Sequence, residues 1–141
     1  MRYCTCATVL LFAMAVSPAA WGVSPTAEEL TEDWQAVAGD LLGDYYPLLP
    51  YCLDDAAWIA WQFDQPEAGR GAVQVFRRSK SPQKSIRLKL HGLDPAARYV
   101  LVNRDRAGTT ELTGRELMDP GLAVTLNDQP CAAIFAYRRV P

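Results

Sequence analysis

Between Gly43 and Phe63 the chain carries three tyrosines, two tryptophans, a phenylalanine and two prolines, and its only charges there are three aspartates. Pro47 and Pro50 each fix φ near −65° and push the residue before them towards extended geometry, so no helix runs through this stretch. Its first half, with Tyr45, Tyr46 and Tyr51, is expected as an ordered extended linker. Its second half, Ala56 to Phe63, alternates: Ile59, Trp61 and Phe63 fall on one face, Trp58, Ala60 and Gln62 on the other. That pattern predicts a strand buried on one side and partly covered on the other.

The chain beyond Phe63 reads as more short strands. Asp64 to Gly71 is expected as a polar turn, followed by a strand through Val73, Val75 and Phe76. Ile86 to His91 is the cleanest alternation, with Ile86, Leu88 and Leu90 inward and Arg87, Lys89 and His91 outward. A turn at Gly92-Leu-Asp-Pro95 leads to strands at Tyr99–Asn103 and Thr109–Leu112, joined through Asp105-Arg-Ala-Gly108. Thr113 and Glu116 have the spacing of a capping box, so a short helical turn is expected from Gly114 to Met118. Leu122, Val124 and Leu126 mark a further strand and Cys131–Arg138 the last. Ten prolines and nine glycines, concentrated after Gly43, punctuate the pattern. About seven short strands at this spacing predict an all-β, antiparallel sandwich.

Three segments follow. Residues 1–22 open with Arg2 and an uncharged apolar run from Ala7 to Val16, too short for a bilayer span of about 20 residues. They read either as a signal peptide, which would make the protein periplasmic or secreted, or as a spurious leader on a cytoplasmic chain. Residues 23–43 read as a helix opened by Thr26 and Glu29, striped by Leu30, Trp34, Val37 and Leu41, and stopped by Gly43 in left-handed conformation. Residues 44–141 form the β-domain.

Asp44-Tyr-Tyr-Pro-Leu-x-Pro-Tyr51, Trp58-x-Ala-Trp-Gln-Phe63 and Gly71-x-Val-Gln-Val-Phe-Arg-Arg78 resemble the C-terminal β-domain of family 36 glycoside hydrolases, the α-galactosidase (melibiase-like) group. The resemblance continues through Leu90-His-Gly-Leu-Asp-Pro95, Tyr99, Gly114-Arg-Glu-Leu-Met118 and Gly121-Leu122, and ends at Ala132 to Arg139. In that family the chemistry belongs to an upstream barrel, a fold of about 250 residues. A chain of 141 residues has no room for it. The resemblance therefore implies a non-catalytic domain on a truncated or stand-alone chain, with a role in bracing a barrel or an oligomer. The stripe Leu30, Trp34, Val37 and Leu41 would then fold back on the β-domain, self-associate or lie exposed. The alternative is a secreted carbohydrate-binding module.

Little else carries chemistry. Paired carboxylates serve glycosidases, but Asp54 and Asp55 are adjacent and project apart, so they are read as a turn. His91 is the only histidine and is read as solvated. No catalytic, cofactor-binding or metal-binding residue is assigned. Tyr45, Tyr46, Tyr51, Trp58 and Trp61 have flat faces that could stack on a galactoside-type sugar, but the strand spacing favours their forming the core and the contact with a barrel. Arg77-Arg78 and Arg138-Arg139 are read as solvated charges at strand ends. Cys52 and Cys131 would be left after leader removal and are expected either to bridge or to remain two buried free thiols. A net charge of −2 gives no electrostatic reason for a nucleic-acid partner.

Overall fold

The computed structural model describes Gln35 and Ala38–Pro141. Eight strands run through it: β1 (Asp44–Pro47), β2 (Ile59–Gln65), β3 (Arg70–Arg77), β4 (Ser85–Leu88), β5 (Arg98–Asn103), β6 (Thr109–Thr113), β7 (Leu122–Thr125) and β8 (Cys131–Val140). Six form one sheet in the order β1-β2-β3-β8-β5-β6, and β4 pairs with β7 in a second. Every pairing is antiparallel. One apolar cluster joins the two layers, with Val73, Val75 and Leu101 from the large sheet against Leu88 and Val124 from the small one. The all-β sandwich is therefore the fold.

The strand absent from the sequence reading is β1. Asp44–Pro47 is not a linker but an edge strand, paired from Asp44↔Asp64 to Pro47↔Trp61. Pro47 is tolerated there because an edge strand leaves one row of N–H groups unused. Gly43 does not adopt a left-handed conformation either: its φ is −81° and its backbone is extended. Glycine is needed for space, since a Cβ would lie 2.2 Å from the carbonyl oxygen of Asp64. The polar turn is also shorter than expected, because β2 continues to Gln65 and β3 starts at Arg70.

Other local expectations hold. Leu88 and Leu90 are buried and Ile86 half-buried, while Arg87, Lys89 and His91 are exposed, although β4 ends at Leu88 rather than running on to His91. Thr113 accepts from the Glu116 amide while the Glu116 carboxylate accepts from the Thr113 amide, the reciprocal capping box, opening the short helix α1 (Gly114–Glu116). Leader residues 1–22 and most of the expected helix, including Leu30, Trp34 and Val37, lie outside the described residues. Leu41 rests on Ala72 and Ile134. Asp40 forms an ion pair with Arg70 at 3.3 Å, and Gln65 donates to the Gly39 carbonyl. Among the described residues, no helix is long and apolar enough to cross a membrane.

Candidate functional site

Strand β2 has two faces, and the more aromatic one does not face the sandwich core. Ala60, Gln62 and Asp64 are buried, whereas Ile59, Trp61 and Phe63 are half-buried. The pairings Tyr45↔Phe63, Ile59↔Phe76 and Phe63↔Ala72 carry this outer face across β1, β2 and β3. Tyr45 and Phe63 rings lie 5.6 Å apart, and Trp61 and Phe76 rings 5.2 Å apart. Trp61 Nε1 donates to Gln74 Oε1 at 2.6 Å, which holds the indole against the sheet.

The five candidate aromatic residues do not converge. Tyr45 and Trp61 share the outer face. Trp58 lies in the core with Nε1 donating to the Gln83 carbonyl, so its ring is not available for stacking on a ligand. Tyr46 stacks on His91 with ring centroids 5.6 Å apart. Tyr51 is 88% exposed on the loop between β1 and β2. Asp54 and Asp55 form a turn: Asp54 Oδ1 accepts from the Ala56 amide, and Asp55 pairs with Arg78 at 2.8 Å and Lys80 at 3.7 Å. Cys52 and Cys131 are not joined. Cys52 is exposed on that same loop, while Cys131 opens β8 with its side chain in the core.

The arginine pair after Phe76 is a correction. Neither residue is a plain solvated charge. Arg77 is 3% exposed and donates to the carbonyls of Ser81, Leu126 and Asn127 and to the side chain of Gln129. Arg78 donates to the carbonyls of Cys52, Leu53 and Asp54, fastening the loop that carries Tyr51. Backbone carbonyls gathered from distant loops leave no pattern in the sequence.

The inner face of β2 carries polar residues that the sequence reading passed over. Gln62 is fully buried and bridges two elements: Nε2 donates to the His91 carbonyl at 2.8 Å and to the Tyr137 hydroxyl at 2.9 Å, and Oε1 accepts from the His91 amide at 2.8 Å. The Tyr137 hydroxyl donates to Asp64 Oδ1 at 2.5 Å. Burial pushes the Asp64 carboxyl above the ordinary 3.8, against the lowering effect of that hydrogen bond. Burial and the neighbouring carboxylate likewise push the Tyr137 hydroxyl up, so it stays protonated and a donor. The available signal was the alternation itself, which puts Gln62 and Asp64 on the same side as Ala60. Among the described residues, no three histidine, cysteine or carboxylate side chains group to hold a metal.

Solved structures that align with this chain include domains of α-galactosidases. The alpha-galactosidase from Lactobacillus brevis aligns with a TM-score of 0.63 at 16% identity, covering 85% of this chain and 17% of its own. GH36 alpha-galactosidase AgaA from Geobacillus stearothermophilus gives 0.61 at 24% identity, with 83% and 17% covered. The galactosidase domain of the alpha-galactosidase-sucrose kinase AgaSK gives 0.59 at 21% identity, with 82% and 17% covered. The chain thus spans about a sixth of the length of these proteins. No curated protein sequence matches it. The description of the glycosyl hydrolase family 36 C-terminal domain matches residues 58–136, more than half of the chain. The chain belongs to the glycosyl hydrolase family 36 C-terminal domain family.

Proposed function

We propose that this chain serves as the non-catalytic C-terminal β-domain of an α-galactosidase-like glycoside hydrolase and braces a catalytic barrel. The observation that carries the reading is the outer face of the six-stranded sheet. Tyr45, Ile59, Trp61, Phe63 and Phe76 lie there on the side away from the sandwich core. Aromatic area of this size is what a protein surface keeps for a partner, because each buried ring contributes heavily to an interface. Leu41 ends the chain's leading segment on the same sheet, against Ala72 and Ile134. A barrel preceding that segment would therefore enter on the aromatic side. The same face supports self-association where no barrel covers it.

The test is a chimera in which this β-domain replaces the C-terminal domain of the Geobacillus stearothermophilus AgaA enzyme. A soluble chimera that keeps α-galactosidase activity is expected, with activity and thermal stability both falling in Trp61→Glu. A chimera indifferent to Trp61→Glu, or inactive although its β-domain is folded, would overturn the bracing role.

A further inference from the structure

The large sheet has six strands and its cover only two. Where the cover stops, the inner face of β5 and β6 opens into a groove of about 600 Å³, within the range of about 300–1,000 Å³ usual for binding sites. Its floor is apolar, with Leu101 from β5, Leu112 from β6 and Phe135 from β8. Leu112 and Phe135 pack on the core yet stay only half-buried. One wall is Gly121, Leu122 and Ala123, at the start of β7. Of β4 only Arg87 reaches the groove, so the groove lies on the β7 side of the cover. β7 pairs with β4 alone, and its other edge is therefore an unpaired strand edge, a template for a further strand.

The charges of the groove favour an acidic occupant. Arg87 is exposed beside its strand partner Ala123, and its guanidinium donates to the Gly121 carbonyl at 3.4 Å, on the groove wall. Arg106 lines the groove from the hairpin between β5 and β6 and forms no ion pair among the described residues. The lining carboxylate, Glu116, is engaged locally: Oε2 accepts from the Thr113 amide and from the Thr113 hydroxyl, each at 2.8 Å. Alternation then sorts the side chains of a strand added beside β7. Those on the side of buried Leu122 and Val124 would point at Leu101, Leu112 and Phe135. Those on the side of exposed Ala123 would point outward, next to the Arg87 guanidinium.

We propose that this groove takes an extended acidic segment of a partner protein, which adds a third strand beside β7 with its apolar side chains inward and its acidic ones next to Arg87. Backbone pairing with β7 supplies the hold, and the arginine supplies the preference for acidic over basic sequence. The surface lies on the inner side of the large sheet, away from Tyr45, Trp61 and Phe63. Its failure would therefore leave the bracing role untouched.

The test is titration of the isotopically labelled full chain with three probes, following backbone amide resonances. They are the acidic peptide acetyl-Val-Asp-Val-Glu-Val-amide, its counterpart with lysine at both acidic positions, and sodium decanoate. Saturable shifts at Leu112, Ala123 and Val124 are expected with the acidic peptide, with Kd on the order of millimolar for so short a ligand. Intermolecular Overhauser contacts should join its backbone to that of β7. The lysine peptide should bind about tenfold more weakly, and Arg87→Glu, at an exposed position, should reverse that preference. Absence of saturable shifts with the acidic peptide, saturable shifts with decanoate alone, or a preference unchanged by Arg87→Glu in a folded protein would each overturn the proposal. So would Overhauser contacts in the free chain between residues 26–33 and Leu112, since the groove would then hold the chain's own leading segment.

Discussion

Tyr137 on β8 donates its hydroxyl to Asp64 on β2 across β3, at 2.5 Å, through a gap that Gly71 leaves open. A Cβ on Gly71 would fall 2.3 Å from that hydroxyl. Two strands that are not neighbours are therefore linked inside the sandwich by a hydrogen bond to a charged acceptor, a strong class of contact. Tyr137→Phe removes the donor for Asp64 and one acceptor for Gln62. It should destabilise by about 1–3 kcal/mol, read from urea unfolding at neutral pH. A change within error would show that water replaces the hydroxyl without cost.

The same carboxylate predicts a pH dependence. Burial raises the Asp64 pKa above 3.8, so just above that pH the native state holds more protons than the unfolded chain. The contribution of Asp64 to stability therefore declines as pH rises from 3.8 through its raised folded value, then levels off. Asp40, raised by the same cause, adds a decline of the same sign. The stability of the wild-type protein relative to Asp64→Asn, measured by denaturant unfolding across acid to neutral pH, should fall with rising pH. A relative stability that climbs instead would mean that the Tyr137 bond outweighs desolvation.

Much of the fold was legible in particular residues, and the losses have identifiable causes. Ile86-Arg-Leu-Lys-Leu alternates with one face in water, so period two sufficed. Thr113 and Glu116 form their box from local geometry alone. Asp44–Pro47 was missed as a strand because edge strands accept proline, and nothing local distinguishes an edge strand from an extended linker. Strand β2 misleads in a different way: its bulkiest face, Trp61 and Phe63, looks away from the sandwich core, while Gln62 and Asp64 look inward. Inward polar residues become intelligible only once Tyr137 and His91, distant in sequence, are seen to meet them.

Arg77 shows what remained hidden. Its guanidinium ties the loop after β3 to the loop between β7 and β8 through five acceptors. Arg77→Met should cost more than about 2 kcal/mol, because buried carbonyls lose their donor. Arg77→Lys should recover only part of this, since one ammonium cannot span the fork of acceptors. Equal stability of the lysine variant and the wild type, by thermal unfolding, would contradict the role assigned to the planar fork.

The Thr113 cap is a smaller and more local support. Thr113→Ala removes the side-chain acceptor for the Glu116 amide and should cost about 1 kcal/mol. Thr113→Ser should restore most of it. Both are read as shifts in urea midpoint at unchanged slope.

On the function proposed above, this domain would support glycoside hydrolysis without performing it. Retaining hydrolysis needs two carboxyl groups about 5–5.5 Å apart on either side of the scissile bond. Asp54 and Asp55 are occupied in a turn and in ion pairs, and Asp64 is bound to Tyr137. The most direct measurement is release of chromophore from an aryl α-galactoside by the purified full chain. The account predicts release no faster than a buffer blank across the acid-to-neutral range. Sustained turnover that vanishes in Asp64→Asn or Asp94→Asn, while persisting in Asp119→Asn, would contradict it.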